Sequence, residues 1–178
     1  MRKVTFGGAC SLDNFFARED GGMDWLMWSD EAMELMNDFW PTVDCILMGR
    51  KTYEVAITSN PPGEDATADG GMKTFVFSRM LDPASMKGVE IVSEKAGEFV
   101  RQLKLQDGKD ICVMGGGELA NSLLEAGVID EIGFNVHPVL LGSGVPLFHR
   151  LSRQVDLELI ECKPFKNGCV YVSYKVKN

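Results

Sequence analysis

No stretch of the chain constrains its fold more than Ile111-Cys112-Val113-Met114-Gly115-Gly116-Gly117-Glu118-Leu119. Four consecutive apolar residues are too few for a helix and read as a strand covered on both faces. The glycines permit a tight turn, and the residues beyond them read as a helix running to Ala126, with Gly127 as its natural stop. A strand that feeds a helix in this way opens a crossover connection, and crossovers build parallel sheets. The pattern recurs at Cys45-Ile46-Leu47-Met48-Gly49, followed by a helical stretch from about Arg50 to Ile57. The chain is therefore expected to be α/β.

The remaining elements extend that reading. Residues 3–10 read as a first strand, followed by a loop through Gly21-Gly22. A helix is predicted near 30–40: Ser29 caps it, Asp30 and Glu31 suit its positive end, and Pro41 follows its stop. Ala32, Leu35, Met36 and Phe39 give it an apolar stripe. The segment 58–71 (TSNPPGEDATADGG) is rich in breakers and reads as a binding or mobile loop. Strands are expected at Thr74–Phe77 and Val89–Val92, then a helix over 94–105 with Phe99, Leu103 and Ala96 inward. After Asp130 the pattern turns to strands, at Ile132–Leu141, Val155–Glu161 and Cys169–Val176. Asn167-Gly168 is a hairpin signal that pairs the last two antiparallel. No repeat or linker interrupts the chain, so residues 1–178 are read as one domain: a mostly parallel central sheet, flanking helices and an antiparallel C-terminal hairpin.

Composition narrows the partners. The 178 residues are 45% hydrophobic and 25% charged, as in ordinary globular domains, and carry a formal net charge of −8. Such a field repels nucleic acid and anionic membranes. Five cysteines, an odd number without a C-x-x-C pair, sit mostly in apolar runs and fit a reducing cytoplasm. With only two histidines, no zinc site is expected. No apolar stretch reaches the ~18–20 residues of a membrane span. The start, Met1 to Cys10, superficially imitates a lipoprotein signal, but its apolar segment is too short and reads as a strand.

Three strand ends carry anion chemistry. Gly115–Leu119 would present bare N–H groups at a positive helix end. The run also satisfies G-x-G-x-x-A, yet too few residues follow for a Rossmann unit, and those residues read as β. Gly49-Arg50-Lys51-Thr52 places two cations and a hydroxyl at a helix start, where cations oppose the dipole and suit an anion better. Ser78-Arg79 repeats the theme after Phe75-Val76-Phe77. Each alone also reads as an empty turn or a pair of solvated cations. Together, at the carboxyl edge of an open sheet, they point to a ligand with several phosphates.

These motifs, with Ser11-Leu12-Asp13, Leu124–Glu131 and His137–Phe148, resemble the dihydrofolate reductase-like superfamily. Within it they are most similar to the reductase domain of bifunctional riboflavin-biosynthesis deaminase–reductases. The resemblance spans nearly the whole chain. It implies NADPH as hydride donor and a small pyrimidine- or pteridine-like heterocycle as acceptor. Gly49, Arg50, Lys51 and Thr52 would face the pyrophosphate and 2′-phosphate side, and Ser78 and Arg79 the adenosine 2′-phosphate. Gly115, Gly116, Gly117, Glu118 and Leu119 would hold the pyrophosphate, with Ala9 near the nicotinamide. It also implies a homodimer, for which the apolar Pro138–Phe148 segment offers an interface. Gly7 stands where the riboflavin reductases carry a lysine, Met114 where they place an acid, and Met72 where folate reductases keep an arginine. No zinc deaminase half is present. The alternative reading is therefore a non-catalytic NADP(H)-binding or ligand-sensing domain on the same scaffold. For a proton donor, Asp30 matches the position of the folate reductases' acid, and Asp13 is the second candidate. Their alternatives are first-turn helix charge and an Asx turn. Met23 and Trp25 read as a loop over the nicotinamide or as core, and His137 and His149 as structural.

Overall fold

The computed structural model describes residues 1–59, 72–82 and 88–177. Eight strands form one sheet: β1 (Val4–Ser11), β3 (Val43–Gly49), β4 (Lys73–Phe77), β5 (Glu90–Val92), β6 (Asp110–Met114), β7 (Glu131–His137), β9 (Asp156–Pro164) and β10 (Val170–Lys177). Their order is β5-β4-β3-β6-β1-β7-β10-β9. The first six in that order pair parallel, while β10 pairs antiparallel with both β7 and β9. Four helices connect them: α1 (Asp30–Phe39), α2 (Arg50–Ser59), α3 (Ala96–Lys104) and α4 (Gly117–Glu125). Of the 58–71 segment, residues 58 and 59 close α2 and 60–71 lie outside the described residues. Among the described residues no helix is long and apolar enough to cross a membrane.

Register sorts the side chains onto two faces. Phe6 pairs with Ile132, Gly8 with Phe134 and Cys10 with Val136, all on the face covered by α3 and α4. Val100, Leu103, Leu119 and Leu123 pack there into the main core, around an edge-to-face contact between Phe6 and Phe134 at 5.1 Å. The opposite face carries Gly7, Ala9 and Ser11 beside Gly133, Asn135 and His137. Its apolar cover is split into two small clusters. One gathers Ile46, Met48, Tyr53 and Val76; the other gathers Ala32, Phe165 and Cys169, with Met27 and Tyr171 against them. Between them lie the small residues Gly7, Ala9 and Gly133, with Met114 beside Gly7 and packed against the first cluster.

Two expectations are corrected and one element is added. The α1 stripe buries only Ala32, and Met36 is exposed. The strand from Ile132 stops at His137, not Leu141: Pro138 lacks an N–H, and Val139 N turns back to donate to His137 O at 2.8 Å. A second, two-stranded sheet went unread, in which β2 (Phe15–Ala17) pairs antiparallel with β8 (Val145–Pro146). Strands of two and three residues leave no periodicity to find.

Candidate active site

The carboxyl ends of β1, β3, β4, β5 and β6 open into one cleft of about 1660 Å3. Gly49, Arg50, Lys51, Thr52, Ser78, Arg79, Gly115, Gly116, Gly117, Glu118 and Leu119 all line it, as does Ala9 on β1. Three strand ends far apart in sequence are thus brought together by the parallel order β4-β3-β6.

The glycines differ in what they need. Gly115 and Gly116 are left-handed, with φ of 60° and 75°, and Gly116 is the N-cap of α4. A Cβ on Gly117 would lie 2.8 Å from the carbonyl oxygens of both Pro146 and Leu147, so its bareness lets the β8 segment pack on the helix start. Gly49 is another case. Its backbone is not left-handed, and nothing stands within 4 Å of where a Cβ would point. Neither packing nor backbone conformation requires this glycine.

Two of the cations are already engaged. Arg50 Nη1 donates to both carboxylate oxygens of Glu54, at 2.7 and 2.9 Å, an i,i+4 pair along α2. Lys51 lies 3.5 Å from Glu118, with both side chains exposed. Arg79 is exposed at the cleft, while the Ser78 hydroxyl accepts from Met80 N and Leu81 N and keeps its own hydrogen to give. Glu94 and Arg101, which the sequence does not single out, also line the cleft, as does His149, which it reads as structural. They come from loop and helix positions whose spacing carries no signal.

The two acids expected as proton donors are placed elsewhere. Asp30 is exposed at the first turn of α1, and Asp13 accepts from the Ser11 hydroxyl at 2.6 Å and from the amides of Leu141 and Gly142 at 3.1 and 2.8 Å. The Ser11 hydroxyl first, and then those amides, hold the Asp13 carboxyl below its ordinary range. Asp13 therefore ties the β1–β2 turn to the 141–142 turn, and neither acid lines the cleft. Glu19, Asp20 and Met23 do. Behind Ala9, His137 is buried: its Nδ1 accepts from Met27 N at 3.2 Å, and the edge of Trp25 meets its ring at a centroid distance of 5.2 Å. Burial pushes its pKa down, disfavouring the charged ring.

A family model described as RibD C-terminal domain matches residues 2–171. The chain belongs to the RibD C-terminal domain family. Among relatives, the uncharacterized protein YwjB of Bacillus subtilis is 38% identical over 167 residues, covering 92% of each chain. A solved structure of a provisionally assigned riboflavin biosynthesis protein from Shewanella sp. PV-4 superposes with a TM-score of 0.80 at 24% identity, covering all of both chains. Dihydrofolate reductase from Enterococcus faecalis, complexed with NADP(H), superposes with a TM-score of 0.68 at 16% identity, covering 99% of this chain and 97% of that one. The fold is thus dihydrofolate reductase-like, and in this RibD-type domain the glycine turns after β3 and β6 face one cleft.

Proposed function

We propose that the protein is an NADPH-dependent reductase that transfers hydride to a small pyrimidine- or pteridine-like heterocycle. One observation carries the reading: Gly49 keeps a side chain out of the cleft where no protein atom competes for the space, beside the left-handed Gly115 and Gly116. A turn stripped in this way, at the start of a helix, suits the close approach of a pyrophosphate. The residues fit a dinucleotide. Gly49, Thr52 and the Gly115–Leu119 turn would hold the pyrophosphate, Ser78 and Arg79 the 2′-phosphate, and Ala9 would flank the nicotinamide. Arg50 and Lys51 would exchange Glu54 and Glu118 for phosphate oxygens. The bound cofactor supplies the hydride. The chain supplies the enclosing wall of Gly7, Ala9, Met23 and Leu26, and a route for protons past Glu19 and Asp20 at the mouth.

The test is titration with NADPH and NADH, followed by nicotinamide fluorescence. Micromolar NADPH binding with much weaker NADH binding is the expected result; no binding of either overturns the reading. Arg79→Ala is expected to weaken NADPH about tenfold while leaving NADH unchanged, since a charged hydrogen bond contributes ~1.5–3 kcal/mol and this guanidinium is exposed. Asp30→Asn is expected to change kcat less than about twofold, because the carboxyl stands outside the cleft; a hundredfold loss with normal NADPH affinity would restore it as proton donor.

A second reading, a non-catalytic NADP(H) sensor, draws on Gly7. A Cβ there would lie 2.6 Å from Gly133 O, so this strand pair does not admit the lysine of the riboflavin reductases without moving. NADPH binding without oxidation by any pyrimidine or pterin would favour it. We further propose a cytoplasmic homodimer. Strand β9 is exposed throughout and carries Leu157, Leu159 and Ile160 on the sheet's outer edge, a surface that invites pairing. Sedimentation at the monomer mass would exclude it.

A further inference from the structure

We propose that the hydride acceptor of this cleft carries no phosphate or carboxylate: the acceptor end admits an uncharged ring and repels an anion. This rests on the reductase reading and adds to it the charge class of the substrate.

The charges of the cleft are segregated along its length. The strands that open into it run in the order β5-β4-β3-β6-β1. Among the described residues its lysines and arginines are Arg50 and Lys51 on α2, Arg79 after β4, and Lys95 and Arg101 at α3. Helix α2 begins where β3 ends, and α3 stacks Phe99 against Phe75 and Phe77 of β4, at 4.9 and 5.6 Å. All five cations therefore gather around β3 and β4, where the phosphates of the cofactor would draw on them. Strand β1 stands at the other end of the order. The wall it forms with its neighbours presents Ala9, Phe16, Met23, Leu26 and Val145, and no lysine or arginine among the described residues. Residues 60–71 contain neither, and Lys87, outside the described residues, stands in sequence between β4 and β5.

The charges that the acceptor end does carry are negative. Glu19 and Asp20 line the cleft on a turn closed by Arg18 N to Gly22 O and Gly21 N to Arg18 O, each at 3.0 Å. Asp20 Oδ1 accepts from Gly22 N at 2.8 Å, which fixes its carboxylate on that turn. Arg18 is committed elsewhere: its Nε and Nη2 donate to the two carboxylate oxygens of Asp24, at 2.7 and 3.3 Å. An anion brought to this end would meet two like charges and no counter-ion, within a chain of net charge −8. An uncharged ring meets no such opposition and gains the apolar wall.

The experiment uses the full chain saturated with NADPH and measures binding by calorimetry for two matched pairs. Uridine is set against uridine 5′-monophosphate, and 6-hydroxymethylpterin against pterin-6-carboxylate. In each pair one member carries an anion that the other lacks. The uncharged member is expected to bind about tenfold more tightly, the effect of unanswered like charges at a solvent-open site. Glu19→Lys/Asp20→Asn reverses the sign of this end and keeps an acceptor for Gly22 N, so it should narrow the gap at least about fivefold. Sodium chloride at 1 M, where the Debye length is about 3 Å, should narrow it too. Exclusion by shape would respond to neither. Equal or tighter binding of an anionic member, a gap moved by neither charge reversal nor salt, or no binding of either uncharged probe overturns the inference. NADPH is titrated before any probe is added; failure at that step sinks the reductase reading itself, whereas the probe outcomes fall on the charge class alone.

Discussion

Gly49→Val is expected to weaken NADPH binding at least about 100-fold, roughly 2.7 kcal/mol, while leaving the urea midpoint essentially unchanged. The two halves of that result have separate causes. Nothing lies within 4 Å of the new Cβ and the backbone is not left-handed, so neither clash nor strain opposes folding. At the end of a strand a β-branched residue is also well tolerated. Yet the isopropyl group would stand in the cleft beside Gly115 and Gly116, where the pyrophosphate is proposed to approach the backbone. Gly117→Val is the matched contrast. Its Cβ would meet two backbone carbonyl oxygens at 2.8 Å and His149 Cδ2 at 2.9 Å, so the β8 segment must shift. Overpacking of this kind costs about 1–3 kcal/mol or more, and the loss should appear in the denaturation curve before any ligand is added. Calorimetric titration and urea unfolding of both variants separate a glycine kept for a ligand from one kept for packing. If Gly49→Val binds NADPH as the wild type does, the cradle is not where the nucleotide lies.

What could be read from the sequence follows the range of the interactions. Strands β3 and β6 are legible because a parallel strand covered on both faces is continuously apolar, and each runs into glycine, Gly49 at the end of β3 and Gly115 just after β6. The hairpin at Asn167-Gly168 is legible because Gly168 sits at φ 89°, a local demand met by a local residue. The glycine-turn side of the cleft is carried by three such local strand–turn–helix signals, so it too could be assembled. The buried cluster of Trp25, Asn135 and His137 could not, because its members meet only through the register of β7 and the packing of the loop before α1, across 110 residues in the case of Met27 and His137. In sequence, Asn135 and His137 look like the polar alternation of a solvent-facing strand. Asp13 is ambiguous in sequence, because an Asx turn and a catalytic acid share the same local pattern; its bonds from the amides of Leu141 and Gly142 appear only in the fold.

The ion pair between Lys104 and Asp130 should break asymmetrically. Lys104 Nζ donates to both Asp130 oxygens, at 2.8 and 2.6 Å, and to Val128 O at 3.3 Å. The lysine side chain is 11% exposed and the aspartate 32%. Removing one partner of a buried pair is costly chiefly because the other charge is left without compensation. Lys104→Met leaves a carboxylate that still reaches water and still accepts from Val4 N at 2.8 Å, so a loss of about 1–2 kcal/mol is expected. Asp130→Asn strands the more deeply buried ammonium, and about 3 kcal/mol should go. In a double-mutant cycle the combined variant should lose less than the sum, and equal single losses would show that burial does not set the cost. The pair matters to the site through strand placement. Asp130 N donates to Val4 O at 2.9 Å, and Val176 N donates to Asp130 O at 2.8 Å, so this one residue pins the start of β1 and the end of β10 to α3. Gly7 and Ala9 follow on the same strand, in fixed register with Gly133 and Asn135. Asp130→Asn is therefore expected to raise amide hydrogen exchange along β1 more than along β3, because β3 is held to β4 and β6 and has no bond to this residue.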